Sequence, residues 1–383
     1  MALLAYLRSQ LDQYLAELEH LVAIDSGTYD REGCNRVNDW LEQRLGSLGF
    51  SIERFPQTDT GDHLLARLGG RGDAKIMLLG HSDTVYPAGT AAQRPLQQVG
   101  DRLLGPGTCD MKAGLLAGIY AVEALAAADF DNYGTLLLLC VADEEVDERN
   151  SVSLIRDAMA DADAVLTLEA ARENGDIVTA RKGNVVMRVE AHGRGAHAGV
   201  EPEKGRNAIS GLLRRLLQAE ALAHPVSGVT INIGIISGGT MPNVVPDYAS
   251  ASIDIRAFEQ GDLDCVVAEI EGIFARPATD GIGFTVTHRL ASPPMPRTKE
   301  VERLEELAIR AAADLGFALR GVSTGGAADS AFAAQAGVPA LDGLGPIGGL
   351  DHGPDEYILK SSIVPRTALL AELIRLICNS RTI

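Results

Sequence analysis

His81 and Asp83 stand two residues apart in HSDTV, directly after the apolar run KIMLLG. A carboxylate at that spacing can hold one imidazole nitrogen and leave the other as a neutral metal ligand. Asp143, Glu144 and Glu145 follow a second apolar run, TLLLLCVA, and Glu169 follows a third, AVLTL. Acids crowded at the mouth of an apolar strand repel one another and lose solvation unless cations offset them. With divalent ions nearby, one carboxylate can ligate while its neighbour takes a proton from water, the division of labour in metal-assisted hydrolysis. Asp147 and Glu148, just beyond, read as a solvated acidic loop.

Asp110 lies in GPGTCDMKAG, immediately before a helical stretch. There it can cap the helix, a contact worth about 1 kcal/mol, or bridge two metal ions, with the glycines letting the backbone approach. Cys109 beside it reads as packing, because hard carboxylates dominate the neighbourhood. His352 sits in another Gly/Pro-punctuated loop, LDHGPDEY. Each of these motifs alone also fits an ordinary loop. Further along, AHGRGAHAG carries His192 and His197, TMPNVVPD carries Asn243 and SIDIR carries Arg256. His197 is flanked by small residues that expose an imidazole, which favours a functional role, whereas His192 reads as structural. Arg256 on its own fits a solvated charge on an alternating strand.

These residues need a scaffold that brings strand ends together. Leu4, Leu7, Leu11, Leu15 and Leu18, then Val37, Leu41, Leu45 and Leu48, recur at helical spacing. Apolar runs at 63–68, 75–80, 135–142 and 164–168 predict strands, with a helix over 112–127 between them. The fold class is therefore α/β, a mixed, largely parallel sheet covered by helices, with ligands at the strands' carboxyl ends. From Arg181 the texture changes to alternating strands interleaved with helices over 205–222 and 262–275, in the order βαββαβ of a ferredoxin-like sandwich. The predicted domains are 1–180 and 294–383, two parts of one catalytic unit, and an inserted unit at 181–293, with SPPMPR as the return crossing.

Composition excludes several classes. The 383 residues are 46% hydrophobic and 22% charged, an ordinary globular balance rather than a disordered or fibrous one. Lysine and arginine number 34 against 52 acids, and aromatics are 4%, which argues against nucleic acid or anionic lipid as a partner. The five cysteines form no CxxC pair, so reduced thiols are expected. The first twenty residues lack a basic flank and an unbroken apolar core, so no export is expected. LLAGIYAVEALAAADF is interrupted by Glu123 and falls short of the ~20 apolar residues of a membrane span. The expectation is a cytoplasmic protein without a membrane partner.

Taken in order, HSDTV, GPGTCDMKAG, DEE, the later strand-end Glu169, HAG and the C-terminal His352 loop resemble the aminoacylase and glutamate carboxypeptidase family of co-catalytic zinc metallopeptidases. The resemblance spans essentially the whole chain and is nearest to bacterial carboxypeptidases that remove glutamate from folates. It implies two zinc ions per subunit, with Co2+ or Mn2+ able to substitute. His81, Asp110 and Glu169 would hold one ion, and Asp110, Glu145 and His352 the other. Glu144 would be the general base and acid, and Asp83 would orient His81. The resemblance also implies a cis Asp110–Met111 bond. The inserted unit would act as lid and homodimer contact, with His197 reaching the neighbouring subunit's centre to steady the oxyanion. Asn243, Arg256, Gly325 and Gly326 would bind the substrate, a small peptide or N-acyl amino acid. One departure bears on specificity. The folate-cleaving enzymes place an arginine before the proline that ends the insert, whereas Ser292 precedes Pro293 here and Arg289 lies slightly upstream. The implied activity is release of an amino acid with a free α-carboxylate, glutamate first. The alternatives are a deacetylase or desuccinylase acting on acetylornithine-like or succinyl-diaminopimelate-like substrates, and, from another class, a catalytically silent dimeric binding protein.

Overall fold

The computed structural model describes residues 2–146, 149–224, 227–276 and 281–380. The chain divides into two compact units. The first comprises Met1–Thr179, Arg297–Ser323 and Ala328–Ile383, and the second comprises Ala180–Pro296 with Thr324–Ala327.

The first unit is built on a six-stranded sheet in the order Ser51–Phe55, His63–Gly69, Thr135–Val141, Lys75–His81, Ala164–Thr167, Ala340–Leu341. The first two junctions are antiparallel and the other three parallel. The central strands Thr135–Val141 and Lys75–His81 are buried along almost their whole length, as continuous apolar runs require when helices cover both faces. The helix Ala113–Ala127 is apolar except for Glu123 and, apart from that residue, is buried on every side from Ala113 to Leu125. It seats closely on the sheet because Gly114 has no Cβ, which would stand 1.9 Å from the Leu168 carbonyl oxygen. It packs against the terminal helices Ala2–Val22 and Lys360–Asn379. In the first of these, Leu7, Tyr14, Leu18 and Leu21 form the buried stripe, and the Tyr14 hydroxyl donates to Ala113 O at 2.6 Å. A second, small antiparallel sheet joins Gly348–Gly349, Tyr357–Leu359, Arg102–Leu104 and Gln97–Val99. Among the described residues no helix is long and apolar enough to cross a membrane.

The second unit is a four-stranded antiparallel sheet in the order Thr230–Gly238, Tyr248–Ala257, Gly183–His192, Gly283–Ser292. The helices Ala208–Glu220 and Gln260–Ala275 cover it, giving the chain order βαββαβ. Alternate residues of the central strands, among them Met187, Val189, Ile253 and Ile255, meet Leu212, Leu216, Leu263 and Ile270 of the helices in a separate core. The half-buried alternation of SIDIR and its neighbours reflects this one-sided cover.

Candidate metal centre

His81 is the last residue of the strand Lys75–His81. Its Nδ1 lies 3.0 Å from the Asp83 main-chain oxygen, which can only accept, so Nδ1 carries a proton and Nε2 is the nitrogen left to ligate a cation that displaces its own proton. That Nε2 stands 2.9 Å from Asp110 Oδ1 and 3.5 Å from Glu169 Oε1. Asp110 sits in an irregular turn, Thr108–Lys112, where Asp110 and Met111 depart from helical backbone angles and the peptide bond between them is cis, as the resemblance implied. The capping alternative for Asp110 does not hold. The helix starts at Ala113 without a side-chain cap, and the Asp110 carboxylate turns to the histidines instead. Its Oδ2 lies 3.1 Å from His352 Nε2, which is also 3.1 Å from Glu145 Oε2.

Two groups result, His81 with Asp110 and Glu169, and Asp110 with Glu145 and His352, each with donor atoms within 4.8 Å of one another. Nitrogen and carboxylate oxygen donors at this spacing suit a cation with bonds of about 2.0–2.2 Å, and zinc accepts both donor types. Glu145 Oε1 is buried with no hydrogen-bond partner, as a ligand atom awaiting an ion would be. The electrostatics agree. Burial, then the Asp110 charge, pushes Glu169 up to about 8. Burial also raises Glu145, against the pull of His352. Hydrogen bonds to Asp110 and Glu145 lift His352 to about 11. Burial opposes the charged form of His81, but Asp110, Asp83 and Glu169 outweigh it and hold its pKa well above the ordinary range. Burial likewise opposes the Asp110 carboxylate, yet His352 and His81 keep it below its usual value. Burial and the closeness of these carboxylates to one another thus favour a proton or a cation among them.

The other residues of the acid loop divide the work. Asp143 is structural, since its Oδ2 accepts the Asn150 and Ser151 N–H groups at 2.6 and 3.0 Å. Asp147 and Glu148 lie outside the described residues. The fully buried Asp83 carboxylate is 3.4 Å from His81 Nδ1, and it also accepts the Thr28 hydroxyl and the N–H groups of Glu144 and Glu145. Burial, with Asp329 close by, pushes the Glu144 carboxyl well above its ordinary range, against the pull of Arg149. Cys109 is buried, and burial raises its thiol pKa, as packing requires.

His197, Asn243, Arg256, Gly325 and Gly326 belong to the second unit. His197 is exposed and bridged to Val244, and Ala198 N donates to Asn243 O at 2.9 Å, so the two loops are joined through main chain. Asp254 grips Arg256 at Nε and Nη2, 2.8 and 3.1 Å, while Nη1 donates to Gly325 O at 2.8 Å. Arg181 Nη1 donates to the neighbouring Gly326 O at 3.1 Å. Ser292 is buried, with its hydroxyl turned to Pro293 O.

Two supporting residues escape sequence reading. Lys112 is buried and donates to Ile24 O at 2.7 Å, tying the Asp110 turn to the segment after the first helix. Arg366, also buried, donates to the carbonyls of Gly345, Gly175 and Gly343, and Gly345 N in turn donates to Glu169 O. A cation in the middle of the segment SSIVPRTALLA, whose other residues are uncharged, is the one local signal that marks Arg366.

A model of peptidase family M20/M25/M40 matches residues 77–376. Carboxypeptidase G2 from Pseudomonas sp. is 30% identical over 363 residues, covering 93% of this chain and 87% of its own length. A succinyl-diaminopimelate desuccinylase from Methylorubrum extorquens is 28% identical over 384 residues, covering 94% of this chain and 97% of its own. Among solved structures, aminopeptidase PepT from Bacillus cereus aligns with a TM-score of 0.83 at 24% identity, covering 96% of this chain and 98% of that one, a likeness of fold.

Proposed function

The chain belongs to peptidase family M20/M25/M40 and is a metal-dependent peptidase or amidohydrolase; we propose that it releases an amino acid with a free α-carboxylate, glutamate from peptides or folates being the leading case. The observation that carries this reading is the Asp110 carboxylate, with one oxygen toward His81 and the other toward His352. His81, Asp110 and Glu169 would hold one zinc ion and Asp110, Glu145 and His352 a second. When bound, such a pair polarises a carbonyl and acidifies water. Asp83 keeps the His81 tautomer and fixes the acid loop through the Glu144 and Glu145 N–H groups. Glu144 takes a proton from the attacking water on its carboxylate and hands it to the departing nitrogen.

Arg256, pre-oriented by Asp254, would receive the planar α-carboxylate, with Asn243 and the Gly325–Gly326 backbone beside it. His197 would steady the oxyanion of a partner subunit. Support for a homodimer comes from the edge strand Thr230–Gly238, where Ile235 and Ile236 are exposed, and from exposed Leu213 and Leu217 on the helix that packs on it. Unpaired cysteines support residence in a reducing cytoplasm. Ser292, together with the 28% identity to the desuccinylase, favours a second reading, removal of an acetyl or succinyl group from a diamino acid.

Amino-acid release by the zinc-reconstituted protein separates these readings when peptidyl-glutamates, folates, N-acetyl amino acids and succinyl-diaminopimelate are compared, with Glu144→Ala as control. Glutamate from peptides or folates supports the first, and turnover of acyl substrates alone replaces it with the second.

A further inference from the structure

Glu356 lies four residues past His352, next to the short strand Tyr357–Leu359, and is fully buried. Its Oε1 accepts the main-chain N–H groups of Cys109 at 2.7 Å and Asp110 at 3.0 Å. Its Oε2 accepts the Gly107 N–H at 3.0 Å and the Tyr86 hydroxyl at 2.6 Å, and the same hydroxyl lies 2.8 Å from Gly353 O. The Glu356 main-chain oxygen accepts from Gly105 N at 3.3 Å. One side chain thus gathers three amides of the Asp110 turn, and its backbone holds the start of that turn. An apolar side chain of the same volume could fill the space, but it would leave those amides buried without acceptors.

The loop that Glu356 terminates is in need of an anchor. Leu350 and His352 both adopt left-handed backbone, with φ of 58° and 61°, which residues other than glycine rarely do. Half of the His352 side chain is exposed, so packing alone does not hold it.

We propose that Glu356 is a positioning residue that clasps the Asp110 turn to the His352 loop and so sets the spacing of the two ligand groups that share Asp110. The proposal rests on the dinuclear reading above. Neither oxygen of Glu356 is aimed at the centre itself. It acts through the main chain of Asp110 and through the reach of His352.

Competition between the metal-free full-length protein and a chromophoric chelator for Zn2+ tests this directly. In Glu356→Gln the amide keeps the volume but turns an NH2 toward backbone donors. The affinity for the weaker of two bound ions is expected to fall about 10- to 100-fold, and exchange of the Cys109 and Asp110 amides in the metal-free protein to quicken about 10-fold or more. In the zinc-loaded protein kcat should fall while KM stays within about twofold. If Glu356→Gln does not fold, Tyr86→Phe, which removes one of the four donors, should still weaken that ion by about threefold. Wild-type affinity and amide exchange in the variant that folds would overturn the clasp alone. A wild-type protein that binds fewer than two ions would overturn the dinuclear reading and the clasp with it.

Discussion

The Asp83 carboxylate receives the Glu145 main-chain N–H at 3.1 Å, so the residue beside His81 also fixes the loop of the acids opposite. It also accepts the Glu144 N–H, at 3.2 Å, and the Thr28 hydroxyl, at 2.7 Å. Replacing this buried acid removes a charge and an acceptor together. Asp83→Asn is expected to lower zinc affinity and kcat by roughly 10- to 100-fold each, with Thr28→Ala milder. Chelator competition and initial rates check both, and an Asp83→Asn enzyme with wild-type zinc affinity would remove Asp83 from the centre's support.

The metal-free protein should lose stability as pH rises. Glu169 goes from an ordinary 4.5 up to about 8 on folding, so between those values the folded state binds more protons than the unfolded one. Stability falls with pH wherever that is so, and His352, raised from 6.5 to about 11, adds in the same sense above its unfolded value. Zinc must displace these protons, so the rise in Tm on adding zinc should grow from pH 5 to pH 8. Thermal melts with and without zinc across that window check the sign. A metal-free Tm that climbs toward pH 8 would contradict the assignment.

Arg256 should matter for substrate rather than for metal. Arg256→Lys keeps the charge but loses the fork that Asp254 orients, so kcat/KM should drop about 10- to 100-fold with zinc affinity unchanged. Steady-state kinetics beside chelator competition measure the two effects separately. Loss of zinc instead of substrate affinity would place Arg256 elsewhere in the account.

Much of this site can be read from residue order because its chemistry sits at the ends of apolar runs. His81 closes KIMLLG, the DEE acids close TLLLLCVA and Glu169 closes AVLTL, so the strands that bury those runs carry the acids to one edge. The edge strand Ser51–Phe55 escapes that logic. SIERF is only half-buried, mixes charge with apolar residues, and becomes a strand through its partner His63–Gly69. Asp110 looks like a helix cap because nothing local reveals that the chain turns irregularly before Ala113. The roles of Glu356 and Arg366 are hidden for another reason. Apart from the Tyr86 hydroxyl on Glu356, the partners described above are main-chain atoms of other segments, 246 residues away for Glu356 and Asp110, and a backbone N–H or carbonyl has no sequence signature.

The exposed edge of the second unit should be an interface between copies. Ile235→Glu with Ile236→Glu places charge on the edge strand Thr230–Gly238 and is expected to convert a dimer into a monomer in analytical ultracentrifugation. A wild-type monomer across micromolar concentrations would remove the role of His197 in a neighbouring centre.

The most direct test is titration of zinc into the metal-free protein with bound metal and amide-hydrolysing activity followed together. Activity should rise only as two ions per chain are taken up. Asp110→Ala should lose both, while Glu144→Ala should take up the two ions and yet hydrolyse roughly 10²- to 10⁴-fold more slowly. Full activity in the chelated protein, or a wild-type rate in Glu144→Ala, would contradict a hydrolase built on the Asp110 bridge.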